Sequence, residues 1–420
     1  MGFRLCFRHT SKSYFCIYVN TISKCQLSEI ALQKSGHGIY WFFVHSGALA
    51  CGGTRDRTGR EERGSAVFLS KTRNLVGLDI GSSAVKIVEL KELGKGKGFS
   101  LLNYAIEPLA PEAIVDGAIM DAGAVIETIQ KAFASRKVKG GDVAIALSGH
   151  SVIIKKISIP ATSDEELAEV IPWEAEQYIP FDVEDVNLAY QVLTGAGEDG
   201  NMDVLLVAAK KDKINDYASV VSQAGRNPAL VDVDVFALQN CFEMNYDAQA
   251  SEGSTALINI GASTTNVAIL KASTSIFWRD ISVGGNHYND AIRKELNLSF
   301  DQAESLKRGE PVTDVPPESV EPILASVNGF VGSEIQKTID FFRNTTPGET
   351  IDRIVVAGGS SRIANLQEAL AQRFGVPVEP LNPFNRVHIG KGIAPEMLEE
   401  IAPSVSIAVG LASRRLGDNR

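Results

Sequence analysis

Two stretches 180 residues apart carry one pattern, and that pattern constrains the fold more than any other feature of the chain. "LDIGSSAVKIVEL" (78–90) and "INIGASTTNVAIL" (258–270) align without a gap. Ile80/Ile260, Gly81/Gly261, Ser83/Ser263 and Leu90/Leu270 are identical, and Asp79 faces Asn259. Each copy reads as an apolar strand, a polar residue, a glycine turn with hydroxyls, and a second apolar strand. One glycine hairpin is an ordinary structural turn. Two copies, one in each half, make sense if two domains close on a shared anion. Glycine admits a phosphate to the backbone, and successive N–H groups point at its oxygens. Asp79 beside such a turn repels an anion unless a cation accompanies it, so the position predicts Mg2+ held mainly through its water shell. Ser82, Ser83, Ser263 and Thr264 read as phosphate donors; no His/Asp constellation makes a serine nucleophile of them. Lys86, on the strand leaving the first turn, either reaches a phosphate or stays in solvent.

A third element adds to this. "IDRIVVAGGSSRIANLQEAL" (351–370) reads as a strand, a double glycine, hydroxyls and an amphipathic helix with Ile363, Leu366 and Leu370 on one face. Gly358, Gly359 and Ser360 would let a nucleotide lie against the backbone, with the helix N-terminus favouring negative charge. There is no GxxxxGK[ST], which excludes a Walker-type site, and no GxGxxG opens a helix after a strand.

At 420 residues the chain is long enough for two or three domains. Its charge is uneven. Residues 1–70 hold nine Lys/Arg against four Asp/Glu, so the remaining 32 basic and 47 acidic residues leave the body at −15. A body that acidic repels nucleic acid. Four of the five cysteines (Cys6, Cys16, Cys25, Cys51) lie in the first 70 residues and only Cys241 in the body, which argues for a reducing compartment and no disulfide framework. No CxxC or His/Cys ligand spacing appears, so no zinc site is expected. The apolar run "GIYWFFVHSGALAC" (38–51) lies too late for a secretory signal and is interrupted by His45. Residues 1–70 are expected to be a poorly structured extension or an over-translation with the working start near Val67. No run reaches about 18 apolar residues, the length that spans a bilayer.

From Asn74 strands and helices alternate, as in an α/β architecture. "DAGAVIETIQKAFASRKV" (121–138) carries Val125, Ile129, Ala132 and Phe133 at helical spacing, with Asp121 as cap. Ser163 and Glu166 form a capping-box spacing, and Pro172 and Pro180 read as punctuation after it. Between Ala161 and Val186 there are nine acids and no base, with Trp173, Tyr178 and Phe181 embedded, which reads as a solvated face or a partner surface. Residues 151–225 read as a small inserted module, and an exposed strand edge in it would be a natural dock for an extended peptide. "DVDVFALQN" (232–240) opens a helix, with Asp232 and Asp234 equal candidates by spacing for a polar role in the cleft.

The two hairpins and the 357–361 loop, in this order, resemble the phosphate-1, phosphate-2 and adenosine elements of the actin, sugar kinase and heat-shock chaperone superfamily. "SVGGNHYNDAIRKEL" (282–296) is similar to the double glycine and helix after phosphate-2, which brings in Gly284 and Gly285. "FDQAESLKRG" (300–309) resembles the AExxK element, in which Glu304 and Lys307 would contact ribose or adenine. Asp234 falls at the acidic position of the connecting helix and, by this resemblance, would align water. "VGLDIGSSAVKIVEL", "IPWEAEQYIPFDVEDV", "INIGASTTN" and "RIVVAGGSSRIANLQEAL" narrow the likeness to the PilM family of type IV pilus assembly, over about residues 67–416.

That resemblance implies an α/β, actin-like (ribonuclease H-like) two-domain fold with a nucleotide cleft and a small inserted subdomain related to that of FtsA. It implies ATP and Mg2+ as cofactors, capture of the N-terminal cytoplasmic tail of the inner-membrane protein PilN, and a cytoplasmic place peripheral to that membrane. The expected division is 71–150, 226–252 and 401–416 for the first domain, 151–225 for the insert, 253–284 and 350–400 for the second domain, and 285–349 as a helical insertion in it. The phosphate-2 aspartate of the superfamily is here Asn259, and an amide is no base, so at most slow ATPase activity is expected. "APSVSIAVGLASRRLGDNR" reads as a last helix on the first domain, with Val405, Ala408, Val409 and Ala412 at core spacing. That differs from the membrane-binding end of FtsA-like proteins, the first rival reading; a small-molecule kinase of the superfamily is the second.

Overall fold

The computed structural model describes residues 75–415 apart from 95–96, 195–196, 198–199, 247–252, 272–273 and 391. The expectation for residues 1–70 therefore lies outside the described residues. Along the chain, β1 (Val76–Ile80), β2 (Ala84–Glu92) and β3 (Phe99–Pro108) form an antiparallel meander. A two-residue ladder, β4 (Ile114–Val115) with β5 (Ala118–Ile119), precedes α1 (Ala122–Ser135), where the Asp121 side chain caps Ala124 N–H as its position predicts. After β6 (Asp142–Leu147) come β7 (Val152–Pro160), α2 (Asp164–Ala175), β8 (Val186–Thr194) and β9 (Asn201–Lys210). Then follow α3 (Lys211–Gln223), β10 (Asn227–Val233) and α4 (Asp234–Asn245).

The second half repeats the hairpin as β11 (Ser254–Ile260) and β12 (Thr265–Lys271), followed by β13 (Thr274–Ile281). Three helices come next: α5 (Asn286–Leu296), α6 (Phe300–Lys307) and the long α7 (Pro317–Thr345). The chain continues through β14 (Ile351–Ala357), α8 (Leu366–Phe374), β15 (Val378–Pro380), β16 (Val387–Ile389), α9 (Pro395–Ile401) and α10 (Ser406–Ala412).

Strand pairing sorts these into a six-stranded sheet, β10-β6-β1-β2-β3-β16, a five-stranded sheet, β13-β12-β11-β14-β15, and a separate three-stranded sheet, β7-β9-β8. The helices α4 and α10 sit against both large sheets, sharing one core with Leu90 and Leu101 on one side and Leu257, Ala268 and Val355 on the other. Their approach is close: a Cβ on Gly410 would stand 1.8 Å from the Ala237 carbonyl oxygen, so only glycine permits the contact. On the far face of the second sheet, Val331, Ile335, Ile339 and Phe342 of α7 pack over Ile258 and Ile269. The last helix is buried along its length, at Ala408, Val409 and Ala412 among others, as is Val405 just before it.

Three boundaries differ from the sequence reading. The helix α3 does not belong with the insert; Ile214, Tyr217, Val220 and Val221 bury against α1 and the first sheet, so the inserted body is β7 to β9 with α2. The strand β16 leaves the second domain to pair with β3, which supplies an otherwise open edge. Pro172 lies inside α2 and not at its end, while the Ser163–Glu166 capping box forms as its spacing predicts. Among the described residues no helix is long and apolar enough to cross a membrane.

Candidate functional site

Each hairpin ends its first strand at the floor of one cleft. Asp79 is the fourth residue of β1 and faces Lys86 of β2 in the ladder; the Lys86 ammonium donates to the Asp79 carboxylate at 2.9 Å. In the second hairpin the same register sets Asn259 opposite Asn266, and the amides are joined at 2.8 Å. The turns match as well, with Gly81 N–H bonded to Ala84 C=O and Gly261 N–H to Thr264 C=O. Those bonds spend the glycine amides and leave the bends at 82–83 and 262–263 outside the strand ladders. The two bends touch: the hydroxyls of Ser82 and Ser263 are 2.9 Å apart.

The cleft between them holds a cavity of about 90 Å³ that opens to solvent, and it takes in Asp79, Gly81, Ser82, Ser83, Lys86, Asp234, Asn259, Gly261, Ser263, Thr264 and Gly358. Gly358 has φ +87°, and a Cβ there would lie 2.3 Å from the Ile260 carbonyl oxygen, so the loop after β14 lies directly on the second hairpin. It does not open a helix at once. A short 3-10 turn, Gly359–Arg362, comes between, and α8 starts only at Leu366, so the expected helix N-terminus is displaced from the glycines. Ile363 is buried ahead of that helix, not on its face.

Gly284, Gly285, Glu304, Lys307, Gly359 and Ser360 do not line that cleft. They buttress the second hairpin instead. Gly285 N–H and the Ser360 hydroxyl both donate to Gly261 C=O, each at 2.9 Å. The Lys307 ammonium reaches the space beside Gly285 and pairs with Glu304. Burial raises the Glu304 carboxyl, but Lys307, Asn289 and Arg308 outweigh it and hold the group below the usual range. Burial lowers Lys307 more than Glu304 raises it.

Of the two candidate acids two residues apart, the structure places Asp234 in the cleft and Asp232 elsewhere. Asp232 is the penultimate residue of β10, is buried, and faces the buried Arg414 guanidinium at 3.5 Å. Desolvation pushes its carboxyl up to about 6, with Arg414 and the Val233 N–H opposing. Asp234 begins α4, where the chain turns toward the cleft. Its carboxyl is pushed up to about 7 by desolvation first and then by Asp79 and Asp280, against the Ser148 hydroxyl and Lys86.

The site holds residues that the sequence reading missed. Lys213 and Tyr217, one turn apart on α3, line the cleft and both donate to Gly117 C=O, at 3.5 and 3.2 Å. Their spacing of four on a helix that follows β9 without a loop was the available signal. Asp280 accepts from Asn266 at 2.8 Å and from Gly149 N–H at 2.6 Å, which ties β13 of the second sheet to the turn after β6 in the first.

The arrangement fits a magnesium nucleotide in one respect and limits it in another. Glycine turns, hydroxyls and two ammonium groups converge where an anion would lie. Among the described residues, however, no group of three His, Cys, Asp or Glu converges to hold a metal alone. A Mg2+ ion here would depend on phosphate oxygens and water, with Asp79 adjacent.

A family profile described as "Type IV pilus assembly protein PilM" matches residues 77–416. The chain belongs to the PilM family. A solved structure of a PilM-PilN type IV pilus biogenesis complex is similar at 27% identity and a TM-score of 0.72, covering 81% of this chain and 98% of that one. The cell division protein FtsA of Streptococcus pneumoniae is 22% identical over 72% of this chain and 74% of its own length. The ethanolamine utilization protein EutJ of Escherichia coli is 25% identical over 28% of this chain and 38% of its own. The fold is actin-like, and type IV pilus assembly is the setting of this family.

Proposed function

We propose that this PilM-family chain binds Mg-ATP between its halves and, on the cytoplasmic side, captures the N-terminal tail of the inner-membrane protein PilN beside the inserted sheet. One observation carries the nucleotide reading: both hairpins open into a single cleft and meet there at Ser82 and Ser263, 2.9 Å apart. For phosphates to enter between the bends, that hydroxyl contact exchanges for contacts to phosphate oxygens. Ser82, Ser83, Ser263 and Thr264 then donate from either side, and Lys86 and Lys213 offset negative charge. Gly358 leaves the backbone flat against the second hairpin, where a nucleoside would rest, with Gly284, Gly285, Gly359, Ser360, Glu304 and Lys307 supporting that wall. Magnesium, held at Asp79 through water, would neutralise part of the phosphate charge.

Turnover on this scaffold is slow at most. Asn259 is no base, and its amide is already engaged by Asn266. Asp234 is left as the acid near a candidate water, with its carboxyl partly protonated around neutrality. The chain acts as a nucleotide-dependent scaffold, in which closure about α4 and α10 alters the surface offered by the inserted sheet. The partner half of the reading is tested by titrating a synthetic PilN tail peptide into the full chain with and without Mg-ATP. Saturable binding supports it, and a flat titration in both conditions contradicts it.

A further inference from the structure

The amide pair of the second hairpin continues into a third group, and the order of donors along this line is fixed from one end. Asn259 Nδ2 donates to Asn266 Oδ1 at 2.8 Å, and Asn266 Nδ2 donates to Asp280 Oδ1 at 2.8 Å. The other carboxylate oxygen, Oδ2, takes the Gly149 backbone N–H of the first half at 2.6 Å. Asn259 and Asn266 are buried and both line the cleft, whereas Asp280 stands at the surface.

A carboxylate accepts at both oxygens and donates at neither. Asn266 therefore turns its NH2 group to Asp280 and its oxygen to Asn259. Asn259 in turn gives its NH2 group to Asn266, which leaves its own oxygen, Oδ1, as the free end of the line. That oxygen lies against the Gly358 backbone at the cleft; a Cβ on Gly358 would stand 2.9 Å from it. Reversing either amide alone would set like groups face to face in a buried place and lose a hydrogen bond. Water in place of Asp280 would not make this choice, since water both donates and accepts.

We infer that Asp280 is a positioning residue: through Asn266 it holds Asn259 with its oxygen toward the cleft, where the site then offers a neutral acceptor to a water molecule. Such an acceptor takes an O–H donor and turns away phosphate oxygens, which suits a water beside the phosphates, in the metal's shell or free. The inference rests on the Mg-ATP reading and adds what sets the polarity of the second hairpin. Because Gly149 N–H orients the same carboxylate, that polarity is anchored in the opposite half.

Asp280→Asn tests this, because it keeps the shape and changes the direction of donation. Gly149 N–H can only donate, so the new amide gives it the oxygen and turns its NH2 group to Asn266. Both following amides must then reverse, and Asn259 presents NH2 to the cleft. In the nucleotide-free full chain labelled with 15N at asparagine, the Asn259 side-chain NH2 signal is assigned by its loss in Asn259→Asp. It is expected to exchange slowly with solvent in wild type and faster in Asp280→Asn. With Mg-ATP, one of two losses of about tenfold, the scale of one hydrogen bond, is expected in Asp280→Asn. A loss of affinity places the water in the metal's shell; slower single-turnover phosphate release at unchanged affinity makes it the free water.

The double variant separates positioning from mere structural support. In Asn259→Asp, position 259 accepts whatever its neighbour does, so adding Asp280→Asn lets position 280 donate to Asn266 and Asn266 donate to position 259. The melting temperature should rise above that of Asn259→Asp alone, whereas a purely structural Asp280 would lower it. Unchanged Asn259 exchange in Asp280→Asn, or a fall in melting temperature on adding it to Asn259→Asp, overturns the inference. If wild type binds no Mg-ATP while the exchange and melting results hold, the nucleotide reading fails and the positioning role of Asp280 stands.

Discussion

Asp79 and Lys86 form a cross-strand ion pair at 2.9 Å, and their counterparts in the second hairpin, Asn259 and Asn266, form an amide pair at 2.8 Å in the same register. One duplicated hairpin has thus been given charge in one half and neutrality in the other. The acid of the second half stands one strand away, at Asp280, where it accepts from Asn266 and from Gly149 N–H. The second pair is thereby linked, through Asp280, to the turn after β6 in the first half.

Asp79→Ala should abolish the Mg2+-dependent part of ATP binding while leaving the fold intact, because Asp79 is at the cleft floor and the ammonium it pairs with, Lys86, is itself at the cleft. Calorimetric titration of ATP with and without Mg2+ measures this. An unchanged Mg2+ requirement would remove Asp79 from the metal's surroundings.

Asn259→Asp restores a carboxylate where the superfamily pattern has one. It should raise ATP hydrolysis, read as phosphate release. It also removes a donor: Asn266 must then turn its NH2 group toward position 259, and its bond to Asp280 is lost. A rise in hydrolysis with looser Asp280–Gly149 contact, seen as faster amide exchange at Gly149, is the expected pair of results. No rise would place the slow step elsewhere.

Lys213→Met should weaken Mg-ATP by about tenfold, the scale of a charge-assisted hydrogen bond, whereas Tyr217→Phe, losing only the bond to Gly117 C=O, should cost far less. Equal affinities for wild type and Lys213→Met would confine Lys213 to holding the 114–119 ladder.

Asp232 and Arg414 are a buried pair, and neither lines the cleft. Burial raises the folded-state carboxyl pKa to about 6, so its contribution to stability is full below the unfolded value and is lost as pH rises through about 6. Arg414→Met removes the opposing cation and raises that carboxyl further. It should cost about 3 kcal/mol at pH 7 in urea denaturation and less at pH 5, where the acid is neutral. Adding Asp232→Asn should recover most of the loss. A cost independent of pH would contradict the assignment.

Much of this was legible in the sequence because its signals are local. The hairpins, the Asp121 cap and the Ser163–Glu166 box each depend on residues within a few positions. What escaped depends on distant partners. The pairing of β16 with β3 joins residues 387–389 to 99–101, and no local pattern announces it. The helix α3 reads as amphipathic wherever it packs, so its place on the first sheet beside α1 is decided by the tertiary core. Asp232 and Asp234 are indistinguishable by spacing; the strand-to-helix change at Val233 and Asp234 sends one to Arg414 and the other to the cleft.

The most direct test of a nucleotide shared by both halves is calorimetric Mg-ATP stoichiometry for wild type, Ser82→Glu and Ser263→Glu. Each substitution puts a carboxylate at the meeting point of the bends, on opposite sides. One site per chain in wild type, lost in either variant while both remain folded, is the predicted result. Retention of ATP at wild-type affinity in one of the two variants would contradict it.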